Sequence, residues 1–338
     1  MDIQAVLSVL ADGEFHSGEE LGAKLGVSRA AVWKRLQSLE SYGLRVESVR
    51  GKGYCLSGGL DLLDADEIGA LIQQRLGRQP FAIECVPEID STNAELMRRL
   101  PAGLPSGTVC AAEWQSAGRG RRGRAWVSPY AGNLYFSVLW RSSGGAAALE
   151  GLSLAVGLAV VQALEAMGVD DLGLKWPNDV WQAGRKLGGI LLEMQGDATG
   201  ECQVVIGIGL NVNMPAAAAE HIEQAWTDVS AALGASPKRG LVLAEVLVAL
   251  DKVLQRFAGG GFAALKSDWL KYDVCRNQLA RIETGGQRHI GISRGVNDQG
   301  GLLLEIDGRV EAIYGGEVSL RPVSVLGDAP GEPSGEPR

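Results

Sequence analysis

Histidine is nearly missing from this 338-residue chain, which has three. The five cysteines, Cys55, Cys85, Cys110, Cys202 and Cys275, are scattered, odd in number and never spaced C-x-x-C. That argues against a disulfide framework or a zinc site and for a reducing cytoplasm. The P-loop pattern G-x-x-x-x-G-K-[ST] is absent, which argues against an ordinary P-loop ATPase or kinase. The N-terminus lacks a basic region followed by an apolar stretch, so no secretion signal is expected. The most apolar run, residues 149–164, is short and carries Glu150, Ser153, Gly157 and Gln162. It reads as a buried helix, and no membrane partner is expected. Acid is also absent locally: no Asp or Glu lies between Trp114 and Leu149, although the formal net charge is -8.

The length calls for two or three domains, and 46% apolar residues suit a globular protein. Residues 1–57 form the first unit. Ile3, Val6, Leu7 and Leu10 have helical spacing. Ser17 with Glu20 spells a capping box for a second helix ending near Gly26. Ser28 caps a third, which stops at Gly43. Two β-type runs flanking Gly51-Lys52-Gly53 complete a winged helix-turn-helix. Residues 1–27 hold one basic and five acidic side chains; residues 28–54 hold six basic and two acidic. The positive charge thus falls on the recognition helix and wing, where DNA phosphates would lie. Candidate DNA contacts are Ser28, Arg29, Trp33, Lys34, Arg35, Arg50 and Lys52. Trp33 either reaches a base or is partly buried.

Gly58-Gly59 centres a linker. Residues 61–270 mix helix and strand patterns, as in a mixed α/β or α+β domain, within a chain that is α+β as a whole. Residues 274–325 carry short β runs with turns at Gly285-Gly286, Gly300-Gly301 and Gly315-Gly316, which suggest a small barrel. Residues 327–338, rich in Pro, Gly and Glu, read as a disordered tail.

The segment "GRGRRGR", residues 118–124, contains a G-x-G-x-x-G pattern. A dinucleotide fingerprint needs a helix after it and an acid about 20 residues on, and neither is present. Glycine lets backbone approach a ligand, and arginine supplies permanent charge and planar donors. The combination describes a mobile loop closing over a small anion. It is expected to be poorly ordered without ligand. Other polar clusters suit such a site. Ser91, Thr92 and Asn93 can cap a helix and bind a ligand, and the two roles can hold together. "KWPND", residues 175–179, is either a turn or a nucleotide or metal site, with Asp179 sufficient for Mg2+ once phosphates are bound. Lys186 stands just before an apolar strand, and Asn211 ends another.

"DSTN", "WQSAGRGRRGR", "KWPND", "RKLGGIL", "GIGLNVN" and "GGEVSLR" occur in the order found in biotin protein ligases. With the winged helix in front, the chain resembles the bifunctional form of that family, ligase and biotin operon repressor, from about residue 2 to 324. The resemblance implies a class II synthetase-like central domain and an SH3-like C-terminal barrel. It implies that biotin and ATP, with Mg2+, give biotinyl-5′-AMP, which a carrier-protein lysine of acetyl-CoA carboxylase then attacks. Carried over by motif, Ser91, Thr92, Asn93 and Gln115 would bind the biotin head group. Arg119, Gly120 and Arg121 would close over biotin and adenylate, with Arg119 and Arg121 also on the nucleotide. Lys186 would contact the biotin carboxylate and α-phosphate, and with Arg121 would be catalytic. Asn178, Asn211 and Trp226 would face the nucleotide, and Asp179 would serve Mg2+. The adenylate would act as corepressor by favouring a homodimer on operator DNA. One departure is "EAIY" before "GGEVSLR", where the family carries a tryptophan. A ligand-sensing repressor without catalysis, or a lipoate or other acyl-adenylating ligase of the same fold, would share parts of this pattern.

Overall fold

The computed structural model describes residues 3–196, 200–220, 222–284, 287–314 and 319–322. Helices α1 (Ile3–Leu10), α2 (Gly18–Leu25) and α3 (Arg29–Ser38) lead through a 3-10 turn (Leu39–Tyr42) into the hairpin of β1 (Val46–Val49) and β2 (Gly53–Leu56). Local chemistry sets these boundaries. Ser17 Oγ accepts the Glu20 N–H at 3.0 Å, and Ser28 Oγ accepts that of Ala31 at 3.3 Å. Gly26 and Gly43 end their segments at φ 63° and 76°, where a side chain would be strained. Val6, Leu7, Leu10, Leu21, Val32, Leu36 and Leu39 form a small core.

The return half of the capping box is replaced by another contact. Glu20 turns to His16 Nδ1 (2.9 Å) while Asp12 takes Nε2 (2.9 Å). His16 also pairs its backbone with Tyr54, tying the wing to the start of α2. Burial opposes charge on this ring, but the bonds to Glu20 and Asp12 prevail and raise its pKa above the ordinary 6.5. A raised pKa stabilises the folded form fully below 6.5 and progressively less as pH climbs through the folded value. Protection of the Tyr54 amide against hydrogen exchange, corrected for intrinsic rate, should therefore fall from pH 6 toward pH 9. His16→Gln should abolish that dependence; an unchanged slope in the variant would refute it.

The segment after the wing is fastened to both of its neighbours. Gly58 and Gly59 take positive φ, but the Leu60 N–H then bonds Ala11 C=O, and the Leu63 N–H bonds Glu113 Oε1 at 2.5 Å. Asp64 caps α4 (Ala65–Leu76). Beyond it come β3 (Ala82–Val86), α5 (Thr92–Arg99), β4 (Thr108–Ala112), β5 (Leu134–Ser142), α6 (Leu152–Ala166), β6 (Leu172–Lys175), β7 (Asp179–Gln182), β8 (Arg185–Gly196), β9 (Cys202–Leu210), α7 (Val229–Leu233), α8 (Arg239–Gly260) and α9 (Lys266–Trp269). The strands form one sheet in the order β3-β4-β5-β9-β8-β7-β6. All pairs but β3-β4 are antiparallel.

Strand alternation gives this sheet two different faces. On β9, Val204, Ile206, Ile208 and Leu210 join the main core with α6 and α8. Val205, Gly207 and Gly209 face the other way; Val205 packs beneath α5 with Leu96, Leu100, Cys110 and Leu139. The apolar stretch through α6 is long enough to cross a bilayer, but 67% of it is buried in the core, as expected of a core helix. Burial pushes the Cys85, Cys110 and Cys275 thiols up to about 12, so they are inert as nucleophiles at neutral pH.

Five strands, β10 (Leu279–Thr284), β11 (Gln287–Val296), β12 (Leu302–Ile306), β13 (Arg309–Ile313) and β14 (Ser319–Pro322), form the C-terminal antiparallel sheet in the order β13-β12-β11-β10-β14. This agrees with an SH3-like domain, and the turn at Gly300-Gly301 is present. The turns at Gly285-Gly286 and Gly315-Gly316, the start of "GGEVSLR" and the tail 327–338 lie outside the described residues.

Candidate functional site

The glycine-bearing face of the sheet opens on a cavity of about 890 Å³. Ser91 caps α5, its Oγ 3.5 Å from the Ala94 nitrogen, so capping and lining occur together. Asp90 anchors that corner. The Arg98 guanidinium, 2.6 Å away, pulls the Asp90 carboxyl down to about 2. Thr92 and Asn93 are buried in the floor. Gln115 Oε1 accepts the Thr92 N–H at 3.0 Å, and the Asn93 amide donates to Leu191 C=O and Glu193. A Cβ at Gly207 would overlap Asn93 Oδ1, and one at Gly209 would come within 2.6 Å of the Trp126 indole. These two strand glycines make room for the floor and the wall.

The other end is cationic. Lys186 does not precede its strand, as its sequence position suggests, but lies inside β8, because pairing with β7 extends the ladder back to Arg185. Its Nζ sits 2.7 Å from Asp179 and 5.7 Å from the centroid of the Trp126 ring. Asn178 donates to Ile190 C=O rather than bonding its own turn. Asn211 Nδ2 donates to Thr227 C=O, while its buried Oδ1 finds no protein partner. Trp226 pairs in parallel with Lys186 and lines the same space. The loop spans the rim. Gly120 N–H bonds Arg124 C=O, Arg121–Gly123 makes a 3-10 turn, and no longer helix follows. Arg119 pairs with Glu193 at 2.9 Å, and Arg121 lies 3.4 Å from Asn178 Oδ1.

Every ligase-site candidate named from the sequence thus borders one cavity: the floor of Ser91, Thr92, Asn93 and Gln115, the rim of Arg119, Gly120 and Arg121, and the far wall of Asn178, Asp179, Lys186, Asn211 and Trp226. Sequence reasoning gave no role to Trp126 and Trp181, which also line it; so does Lys175 of "KWPND", its Nζ 4.5 Å from the Trp181 centroid. Alternating glycines at 207 and 209 were the available signal for a packed aromatic. Among the described residues, none from the C-terminal sheet lines the cavity. Tyr314 of "EAIY" instead bonds Asn297. The DNA candidates sit apart. Ser28, Arg29, Lys34, Arg50 and Lys52 are exposed and Arg35 half-buried. Trp33 is 53% exposed, which favours an outward-reaching role over burial.

A single carboxylate suits Mg2+ only when phosphate oxygens complete the shell. Asp179, paired with a lysine and bordering a cavity with an orphaned amide oxygen, fits that case. No cluster of three His, Cys, Asp or Glu side chains that could hold a metal alone occurs among the described residues.

A winged helix ahead of an amide-floored, cation-rimmed cavity is the layout of an acyl ligase with a DNA-binding module. Three family models match along the chain: an HTH domain over residues 3–55, the Biotin/lipoate A/B protein ligase family over 85–211, and the biotin protein ligase C-terminal domain over 281–321. The bifunctional ligase/repressor BirA of Salmonella typhimurium is 42% identical over 316 residues, covering 94% of this chain and 96% of that protein. The BirA of Bacillus subtilis is 32% identical over 92% of this chain and 95% of its own length. Biotin protein ligase from Aquifex aeolicus in complex with biotin and ATP superposes with a TM-score of 0.62 at 30% identity, over 71% of this chain and 99% of that one. The chain belongs to the biotin protein ligase family.

Proposed function

We propose that this protein is an ATP-dependent biotin protein ligase that also represses transcription through its winged helix. The observation that carries the reading is the cavity: an uncharged hydrogen-bonding floor at one end and the Lys186–Asp179 pair under an arginine rim at the other. A neutral bicyclic head group suits the first, and a carboxylate meeting a triphosphate suits the second.

In the first step a biotin carboxylate oxygen attacks the α-phosphorus and the bond to the β-phosphate breaks, releasing pyrophosphate. Two anions must meet, so positioned cations supply most of the rate. Lys186, already inside the cavity, contacts the carboxylate and the α-phosphate, and Arg121 joins it when the loop closes. Ser91, Thr92, Asn93 and Gln115 hold the head group, with Arg119 and Gly120 over it. Asn178, Asn211 and Trp226 receive the nucleotide. Asp179 would hold Mg2+, which when bound with the triphosphate offsets its charge. In the second step a carrier lysine attacks the acyl carbon, AMP leaves, and the amine loses a proton. The carrier is the biotin carboxyl carrier protein of acetyl-CoA carboxylase.

The functional divisions are 1–57 for DNA, 61–270 for catalysis and 274–325 for the C-terminal domain, and the protein works in the cytoplasm. Ser28, Arg29, Trp33, Lys34, Arg35, Arg50 and Lys52 contact operator DNA. One winged helix covers one half-site, so a homodimer favoured by the adenylate reads a palindrome. Biotinylation of a carrier domain with ATP and Mg2+, run beside lipoate, tests the ligase; absence of biotin transfer refutes it, and lipoylation alone selects the lipoate reading. A gel shift with and without adenylate, at fixed salt, tests the repressor.

Loop closure has its own test. Four arginines make residues 118–124 a trypsin site. Biotin plus ATP should slow cleavage there at least about tenfold, because a segment held by ligand opens less often. An unchanged rate would refute closure.

A further inference from the structure

Glu193 plays no part in the reading above. It lies on β8, two residues beyond Leu191, and its two oxygens hold two different site residues. Oε1 accepts from Arg119 at 2.9 Å, and Oε2 accepts from the Asn93 amide at 2.8 Å. The second contact starts a chain of forced choices. A carboxylate can only accept, so Asn93 must present its NH2 to Glu193 and its oxygen to the other side. On that other side, Asn93 Oδ1 meets the buried Ser137 hydroxyl at 2.6 Å. That hydroxyl also lies 2.7 Å from Thr92 Oγ1. It has one proton, and an amide oxygen can only accept, so Ser137 donates to Asn93 and accepts from Thr92. The Thr92 hydroxyl has two acceptors in reach, Ser137 at 2.7 Å and Gln115 Oε1 at 3.4 Å; its proton goes to the nearer, which leaves Thr92 Oγ1 itself an acceptor for any further partner. Beside it stands Gln115 Oε1, also an acceptor, 3.0 Å from the Thr92 nitrogen.

We propose that Glu193 is the positioning residue that sets this polarity: through Asn93, Ser137 and Thr92 it makes the pocket floor a surface of acceptors, and so selects a head group bearing N–H donors. This rests on the biotin reading. A ureido ring supplies two N–H groups; the dithiolane of lipoate supplies none. Specificity for a donor is strongest where the site's buried acceptors would otherwise go unmatched. The Leu191 carbonyl, 3.2 Å from the same amide, supports the same orientation, but the carboxylate is the closer and charged partner.

Glu193→Gln keeps size but can offer an NH2 to Asn93, which permits the opposite polarity. Measured by titration calorimetry on the full-length protein, its biotin Kd should rise roughly tenfold, the loss of one charge-assisted hydrogen bond's orientation. The same variant should bind a biotin analogue methylated on one ureido nitrogen about as weakly as wild type does. Its kcat at saturating biotin and its KM for ATP should stay within about threefold, a split that general destabilisation would not give. The biotin loss should persist in an Arg119→Gln background, which removes the contact on the other oxygen. An unchanged biotin Kd in folded Glu193→Gln, or a loss that vanishes without Arg119, overturns the proposal. Should that variant fail to fold, Ser137→Ala breaks the same chain and must give the same split. Wild type that binds no biotin would instead sink the ligase reading.

Discussion

Replacing Lys186 by methionine should slow adenylate formation by roughly 10²–10³-fold, the cost of removing one preorganised charge from a transition state. The side chain is placed for this by β8, with its ammonium 2.7 Å from Asp179 and Trp126 alongside. Gly189 leaves the space beside it open: a Cβ there would lie 3.7 Å from the Nζ. Arginine should not rescue, because a planar fork is wider than an ammonium and its charge sits elsewhere. Single-turnover quench measurements of biotinyl-5′-AMP, with unfolding temperature as control, provide the check. A variant that folds and forms adenylate at the wild-type rate would remove Lys186 from the mechanism.

The second large effect concerns stability. Arg239→Met should cost about 3–5 kcal/mol, the range for breaking a buried ion pair from one side. Arg239 is 1% exposed. Its guanidinium bonds Glu113 at 2.6 Å, Asn133 C=O at 3.0 Å and Asp61 C=O through both Nε and Nη2. Its own N–H takes the Asp61 carboxylate. One side chain thus joins the segment after the winged helix, the end of β4 and the approach to β5. Urea denaturation should show the loss, and Arg239→Met with Glu113→Leu should recover part of it, because the stranded carboxylate is then gone. A loss under about 1 kcal/mol in the single variant would mean that the pair does not hold this junction.

Glu113 borders Trp114 and Gln115, so this junction adjoins the pocket floor. From the winged helix, Tyr42 reaches the same place. Its ring meets Trp114 at 4.9 Å and Tyr130 at 5.7 Å, and its hydroxyl bonds Glu88 at 2.7 Å. None of this could be read from the chain, because it depends on contacts between residues far apart in sequence. The winged helix was legible because its determinants are local: Ser17 and Ser28 cap, and Gly26 and Gly43 stop. The arginine loop, the amide clusters and Lys186 were legible as chemistry, since charge and glycine in one short segment have few other uses. The order of the seven strands was not. Without it, Glu193 is one more acid on a strand, Gly207 and Gly209 are unexplained, and Lys186 seems to precede its strand instead of belonging to it. The fastening of the linker was not legible for the same reason: after Gly58-Gly59, Asp61 and Leu63 each bond a residue far away in sequence.

The central claim is that this cavity joins a biotin carboxylate to the α-phosphate of ATP. Exchange of labelled pyrophosphate into ATP reports that step alone, without carrier or DNA. The account predicts exchange that requires biotin and Mg2+, is not supported by lipoate, and is lost in Lys186→Met. Exchange that proceeds without biotin, or none at all from the folded wild-type protein, would contradict it.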